Sequence, residues 1–326
     1  MRQPPGHAAS RVLVTGGNGF VGRSAVAALL RDGYEVHIAA RGPQTAALAP
    51  QAIVHRADLL QANAAADLIA ATAPTAVLHL AWCVTPGQFW TDPANLDWAA
   101  ASLRLARAAA EGGVARFVAI GTCYEYDWPA NARCVEGVTP LRVHTLYDAA
   151  KAGLAAILRA YFATTAVRFA WARLFYLYGP GEDPRRFAAS LARSLVRGDR
   201  ARCSRGNAVR DVLDVRDAGA ALAKLVGSGV CGDVNIASGT PTRLADMARR
   251  LALAAGRPDL LDLGAVPDQP GEPPFIVADT RILKEEVGFE PQFDLDAGLR
   301  ALLDDWRQRE VGHDARLIAP NGDAQL

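Results

Sequence analysis

The 326-residue chain has no apolar run approaching the ~20 residues that a membrane-spanning helix needs. Its first ten residues hold two prolines and a glycine but no hydrophobic stretch, so they do not read as a secretory signal. Cysteine is sparse and scattered. Cys83, Cys123, Cys134, Cys203 and Cys231 form no Cys-x-x-Cys pair, and the six histidines do not join them at ligand spacing. Neither a disulfide framework nor a metal site is therefore expected. Charge of one sign is lacking too: the net charge is +1, which argues against nucleic acid or an anionic membrane as partner. Repeats and low-complexity linkers are absent from the sequence. What is present in quantity is apolar, at 51% of residues, enough for a large α/β core or two coupled ones. The expectation is a cytoplasmic protein of a reducing compartment.

Lysine is the scarcest basic residue, with only Lys151, Lys224 and Lys284, against seven tyrosines. One of the three follows a tyrosine by four positions, in His144-Thr145-Leu146-Tyr147-Asp148-Ala149-Ala150-Lys151, inside an Ala-rich segment that reads as helix over 144–163. Residues i and i+4 share a helix face, so a phenol and an ammonium can address one point. An ammonium beside a phenol favours phenolate, lowering a pKa that starts near ~10, and such a tyrosine can exchange a proton at a carbonyl or alcohol carbon.

The rest of the chain alternates strand and helix. Strands are expected at 11–15, 35–39, 52–56, 76–80, 116–120 and 166–175, with helices after the first, at 61–72, at 93–111 and at 144–163; Tyr176 to Gly181 breaks the last strand. That rhythm predicts a parallel sheet with helices on both faces and ligands at the carboxyl ends of its strands. After the first strand come Gly16-Gly17-Asn18-Gly19-Phe20-Val21-Gly22. Glycine at Gly16, Gly19 and Gly22 permits a tight turn, close approach of backbone to a pyrophosphate, and helix-on-strand packing, which points to a dinucleotide at a helix N-terminus. Where an NAD site wants a carboxylate, at the end of the second strand, the sequence has Ala39-Ala40-Arg41. A guanidinium suits a 2′-phosphate, so NADP is expected, with NAD possible. Asp58 and Leu59 follow the third strand, within reach of an adenine, and Leu80 and Ala81 follow the fourth, with Trp82 beside them at the mouth of the cleft. Beyond residue 176 the rhythm is lost, although short helices are still expected over 184–197, 216–226, 243–255 and 295–308.

In this order these motifs resemble the extended short-chain dehydrogenase/reductase family, in its nucleotide-sugar epimerase, dehydratase and reductase branch. They are the glycine loop, Leu80-Ala81, Tyr147-x-x-x-Lys151, Arg173-Leu174-Phe175-Tyr176-Leu177-Tyr178-Gly179-Pro180 and Val209-Arg210-Asp211-Val212-Leu213-Asp214-Val215. The resemblance implies a Rossmann-type doubly wound parallel sheet with a smaller C-terminal α/β substrate lobe. The expected division is a dinucleotide-binding domain of 11–175 plus 208–238, a substrate lobe of 176–207 plus 239–312, and flexible tails at 1–10 and 313–326. It further implies Tyr147 as acid/base, Lys151 as its partner and ribose contact, and Thr122 as the hydroxyl on the reacting oxygen. Arg210 corresponds to the arginine on the substrate's diphosphate, Cys123, Tyr124 and Tyr176 to positions beside the substrate, and helices 93–111 and 144–163 to those that pair in a homodimer.

Departures from the family pattern narrow the reaction. Dehydratases of the family follow the catalytic threonine with Asp-Glu; here Cys123-Tyr124 follow, so 4,6-dehydration is not expected. A cysteine used for epimerisation in fucose-synthase-type enzymes sits two after the hydroxyl residue, whereas Cys123 is one after. Tyr176 stands where the family places asparagine, Gln269-Pro270-Gly271-Glu272 lacks the preceding arginine, and Glu125 reads as a turn residue. The leading expectation is NADPH-dependent reduction of a nucleotide-linked 4-keto-(6-deoxy)hexose at C4. The alternatives are an NAD-dependent C4 epimerase and, from another class, a non-enzymatic dinucleotide sensor.

Overall fold

The computed structural model describes residues 10–42 and 50–318, with side chains described as far as 311. Within it, β1 (Arg11–Thr15), α1 (Phe20–Arg31), β2 (Glu35–Ala40), β3 (Ile53–Arg56), α2 (Ala64–Thr72), β4 (Ala76–His79), α3 (Ala94–Glu111), β5 (Arg116–Thr122), α4 (Leu146–Phe162) and β6 (Arg168–Leu174) follow one another. Then come β7 (Tyr176–Tyr178), α5 (Phe187–Arg197), β8 (Ala201–Cys203), β9 (Val209–Asp214), α6 (Val215–Gly227), β10 (Gly232–Ile236), β11 (Pro241–Arg243), α7 (Leu244–Ala254), β12 (Leu261–Leu263), β13 (Phe275–Ile276) and α8 (Leu295–Ile318).

Seven strands form one sheet in the order β10-β6-β5-β4-β1-β2-β3, and the neighbouring pairs run parallel. The reversal between β1 and β4 is the switch point at which doubly wound sheets bind ligands. Both sheet faces are covered, as the alternation of side chains requires. Val12 and Val14 pack with Ala25 and Leu29 of α1 and Leu222 and Leu225 of α6. Leu13, one residue between them, joins Leu68 of α2, Leu105 of α3, Leu158 of α4, Phe117 and Trp171 on the other face.

The chain forms two compact units: Met1–Leu177 with Arg210–Pro241 and Phe275–Gln292, and Tyr178–Val209 with Thr242–Pro274 and Phe293–Leu326. The returning segment Phe275–Gln292 thus belongs with the sheet, not with the later helices as the sequence division had it. Tertiary bonds explain this: Cys134 donates its N–H to the Val277 carbonyl at 2.7 Å, and the Ala278 N–H reaches Asp211 at 3.2 Å. The second unit is built on α5, α7 and α8, with Leu191, Leu195, Met247, Leu251, Leu299 and Leu302 buried, and carries the parallel pair β8–β12.

Two expectations about elements need correction. The backbone after Phe175 does not simply break; Tyr176–Tyr178 re-pairs as β7 with β9. The last helix continues to Ile318 and so includes 313–318, expected to be tail. The remaining tail expectations, at 1–9 and 319–326, lie outside the described residues.

Candidate active site

The glycine loop is shaped by contacts that leave no room for side chains. Gly16 has φ +71°, and a Cβ there would lie 2.8 Å from the Ala81 nitrogen. At Gly22 it would lie 2.1 Å from the Gly16 carbonyl oxygen. These approaches hold the start of α1 against β1 and place Leu80 and Ala81 over the loop. Gly19 caps α1 without a side-chain hydrogen bond, and no acidic residue occupies the first turn. The N–H groups there, with Phe20 and Val21 opening the helix, form an electropositive end suited to a phosphate, so the residues present fit a dinucleotide. A buried relay fixes the Ala81 strand end. The Ala81 N–H donates to Thr15 Oγ1 at 3.2 Å, the Thr15 hydroxyl meets His79 Nδ1 at 2.7 Å, and His79 Nε2 meets Ser102 Oγ at 2.7 Å. The Ser102 hydroxyl in turn donates to the Trp98 carbonyl. Burial, with the Lys151 charge adding to it, pulls His79 down to about 3, so this imidazole is a neutral structural link.

Register carries the rest of the cofactor candidates to one sheet edge. Thr15 lies opposite Ala39, and Ala40 opposite Arg56, so Gly16, Arg41 and Asp58 all follow strands that end together. Arg41 is exposed. Asp58 accepts the Leu60 N–H at 3.2 Å and Leu59 is buried.

Thr145 opens α4 with a capping box. Asp148, buried, accepts the Thr145 N–H at 2.9 Å and also binds the Thr145 hydroxyl and the His144 N–H. This anchors the first turn, in which Tyr147 sits 9% exposed with its N–H on the Trp90 carbonyl at 3.1 Å. One turn later Lys151 Nζ donates to the Ile120 carbonyl at 2.9 Å and lies 3.7 Å from the centroid of the Trp82 ring. Trp82 is itself held by its indole N–H on Asn95 Oδ1 at 2.8 Å. Burial drives Lys151 down to about 7, while Glu125 and Cys83 act in the opposite direction. The bond to Ile120 ties this helix to β5, whose last residue is Thr122.

Thr122 Oγ1 accepts the Tyr124 N–H at 3.3 Å, which leaves the hydroxyl its own proton to donate. Glu125 holds that turn from inside. It accepts the Thr122 N–H at 2.8 Å, the Trp171 indole N–H, and Arg173 Nε at 2.7 Å. Arg173 continues to Asp233 at 2.9 Å. Burial pushes the Glu125 carboxyl up, and Arg173 and the donated hydrogen bonds pull the other way. Glu125 is fully buried, so its place is in the scaffold of the Thr122 turn.

The candidate substrate residues lie near one another. Tyr124 and Tyr176 meet, their hydroxyls 2.8 Å apart, and Arg210, buried, has its guanidinium 5.3 Å from the Tyr176 ring centroid. Burial, followed by Tyr124, raises the Tyr176 phenol well above its ordinary range. Cys123 is buried with Tyr126, Cys134 and Phe175 in a cluster against which Tyr124 and Tyr176 pack, and burial pushes the thiol up. Sequence reasoning missed Trp90, which packs on both Tyr147 and Tyr124, with ring centroids 5.9 and 4.6 Å away. Its only local signal was an aromatic pair, Phe89-Trp90, in a loop beyond a strand end. Among the described residues no group of three or more His, Cys, Asp or Glu could hold a metal ion, and no helix is long and apolar enough to cross a membrane.

Comparison with known proteins agrees with this fold. GDP-6-deoxy-D-mannose reductase of Pseudomonas aeruginosa is 28% identical, over 92% of this chain and 98% of its own. The structure of RMD from Pseudomonas aeruginosa complexed with NADPH superposes with a TM-score of 0.79 at 25% identity, over 92% of this chain and all (100%) of that one. A Thermus thermophilus UDP-glucose 4-epimerase in complex with NAD matches with a TM-score of 0.80 at 27% identity, over 91% and 99%. The model of the NAD dependent epimerase/dehydratase family matches residues 12–237, from β1 through the last strand of the main sheet and so across every candidate residue above, and the chain belongs to that family.

Proposed function

We propose that the protein is an NADPH-dependent reductase acting at C4 of a nucleotide-linked 4-keto-6-deoxyhexose. The observation that carries the reading is the Tyr147–Lys151 turn, tied through Ile120 to the strand that ends in Thr122. NADPH, when bound, supplies the hydride that reaches C4. Tyr147 gives its phenolic proton to the ketone oxygen, so the C=O π bond becomes a C–H and an O–H, and solvent returns the proton to Tyr147. Thr122 donates a hydrogen bond to the same oxygen and favours its developing negative charge. Lys151 favours the phenolate left behind and contacts the nicotinamide ribose. Gly16, Gly19, Phe20, Val21 and Gly22 hold the pyrophosphate, Leu80 and Ala81 line the nicotinamide side, and Asp58 and Leu59 take the adenine. Arg41 pairs with the 2′-phosphate, and Arg210, with Tyr124 and Tyr176, faces the nucleotide sugar.

Support for reduction comes from Arg41 in place of an acidic residue, from the similarity to a 6-deoxymannose reductase, and from Cys123-Tyr124 in place of an elimination pair. The second reading, an NAD-dependent C4 epimerase, is favoured by the likeness to the Thermus thermophilus epimerase. A non-enzymatic sensor would have no use for the tyrosine, the lysine and the hydroxyl together. The sheet-bearing unit is the dinucleotide-binding part in this account, the other unit the substrate lobe, and the protein works in the cytoplasm as a homodimer through α3 and α4. Incubation with nucleotide-linked 4-keto-6-deoxyhexoses differing in base tests the reading. A reductase consumes NADPH as product forms, whereas an epimerase purifies with NAD and interconverts C4 epimers with no net loss of reduced nicotinamide. In the same assay Arg41→Ala is expected to erode the NADPH preference at least about tenfold, and an unchanged preference would remove the 2′-phosphate assignment.

A further inference from the structure

The wall beside Tyr147 is aromatic, and it comes from three separate segments. Trp90, in the loop before α3, meets the Tyr147 ring nearly perpendicularly, at 88°, and also the Tyr124 ring. Tyr124 packs on Trp128 at 5.2 Å and hydrogen-bonds Tyr176. Trp90, Tyr124, Trp128 and Tyr176 are all half-buried, so each keeps surface open to solvent beside a tyrosine that is nearly closed off.

Much of the polar capacity of this wall is already engaged. The Tyr124 and Tyr176 hydroxyls face each other, and the Trp128 indole N–H is given to the Cys123 carbonyl at 2.9 Å. A hexose face rich in hydroxyls loses water hydrogen bonds on meeting such rings and gains few in return. A face of C–H bonds and a methyl group loses nothing comparable and gains area burial against the rings. The position of Trp90 limits which part of the sugar it meets. Tyr147 must come within hydrogen-bond reach of the C4 oxygen, and C6 is two bonds from C4. A ring packed on Tyr147 can therefore meet a substituent on either carbon beside C4, and of these the C5 methyl of a 6-deoxyhexose is the apolar one.

We propose that Trp90 is a specificity-determining residue that selects a methyl group over a hydroxymethyl group at C5. This rests on the reductase reading above and assigns its preference for sugars deoxygenated at C6 to one side chain. An apolar contact rejects an added hydroxyl by at most about 100-fold, so the wild-type preference in kcat/KM is expected at about 10- to 100-fold.

The test runs in the oxidation direction with NADP, comparing a nucleotide-linked 6-deoxyhexose with the same sugar carrying the 6-hydroxyl. Wild type is expected to prefer the deoxy sugar. Trp90→Phe, which keeps an aromatic face, should retain most of that preference. Trp90→Leu should compress it to within about threefold, with calorimetric affinity for NADPH unchanged. Equal kcat/KM for the two sugars in wild type overturns the inference and leaves the reductase intact. So does a Trp90→Leu variant that lowers both by one factor, because that is the signature of a displaced Tyr147 alone. Wild type that neither oxidises these sugars nor reduces a 4-ketone sinks the reductase reading itself, and the inference with it.

Discussion

Replacing Lys151 by methionine separates its charge from its bulk. Burial lowers this ammonium from an ordinary 10.5 to about 7, which at ~1.4 kcal/mol per pH unit sets a penalty of about 5 kcal/mol on the charged folded form. Below about pH 7 the folded and unfolded chains both carry the proton, and the folded one bears the whole penalty. Between about 7 and 10.5 the unfolded chain keeps the proton while the folded chain releases it, so wild-type stability rises with pH. Above 10.5 neither is charged and the penalty is gone. Lys151→Met is free of it at every pH but leaves the Ile120 carbonyl without its donor, a loss of about 1–3 kcal/mol. The variant should therefore be about 2–4 kcal/mol more stable than wild type near neutral pH, and about 3 kcal/mol of that advantage should vanish by about pH 9.5. Thermal unfolding of the two proteins side by side at each pH measures this, while reduction of the keto sugar is lost. A stability difference that does not change with pH would mean that Lys151 titrates as an ordinary lysine, and the argument for a tuned ammonium beneath Tyr147 would fail.

Two further predictions concern the scaffold. Glu125→Gln leaves Arg173 buried beside a neutral amide and should cost about 3–5 kcal/mol in unfolding experiments, because half of a buried ion pair is uncompensated; a loss under about 1 kcal/mol would show that Asp233 suffices. Leu96 on α3 and Ile157 on α4 are 60% and 52% exposed, a pattern suited to a helix-paired dimer. Ile157→Glu should then run as a monomer in light scattering, and a wild type already monomeric would end that proposal.

The parallel sheet and its order of elements were legible because each strand is a short apolar run bounded by glycine or a polar turn, and each main-sheet helix repeats at helical spacing. Tyr147 and Lys151 could be paired from sequence since one helical turn separates them. What the sequence could not carry were contacts across long separations. Trp90 reaches Tyr124, and Glu125 finds Arg173, through folds of the backbone that no local pattern encodes. Nor does local pattern show that Cys123, adjacent to Thr122 in the chain, shares an apolar cluster with Cys134 and Phe175. The return of Phe275–Gln292 to the first unit likewise rests on distant partners, among them Cys134, Asp211 and Asp217 by hydrogen bonds and the sheet core by Leu283 and Phe289.

The central claim is that Tyr147 protonates a sugar carbonyl as hydride arrives. Single-turnover oxidation of NADPH by a nucleotide-linked 4-keto-6-deoxyhexose, in wild type and Tyr147→Phe, tests it most directly. The expected result is one NADPH consumed per ketone in wild type. The variant should be slower by ~100-fold or more, with NADPH affinity retained. A Tyr147→Phe enzyme that turns over at the wild-type rate would contradict the account.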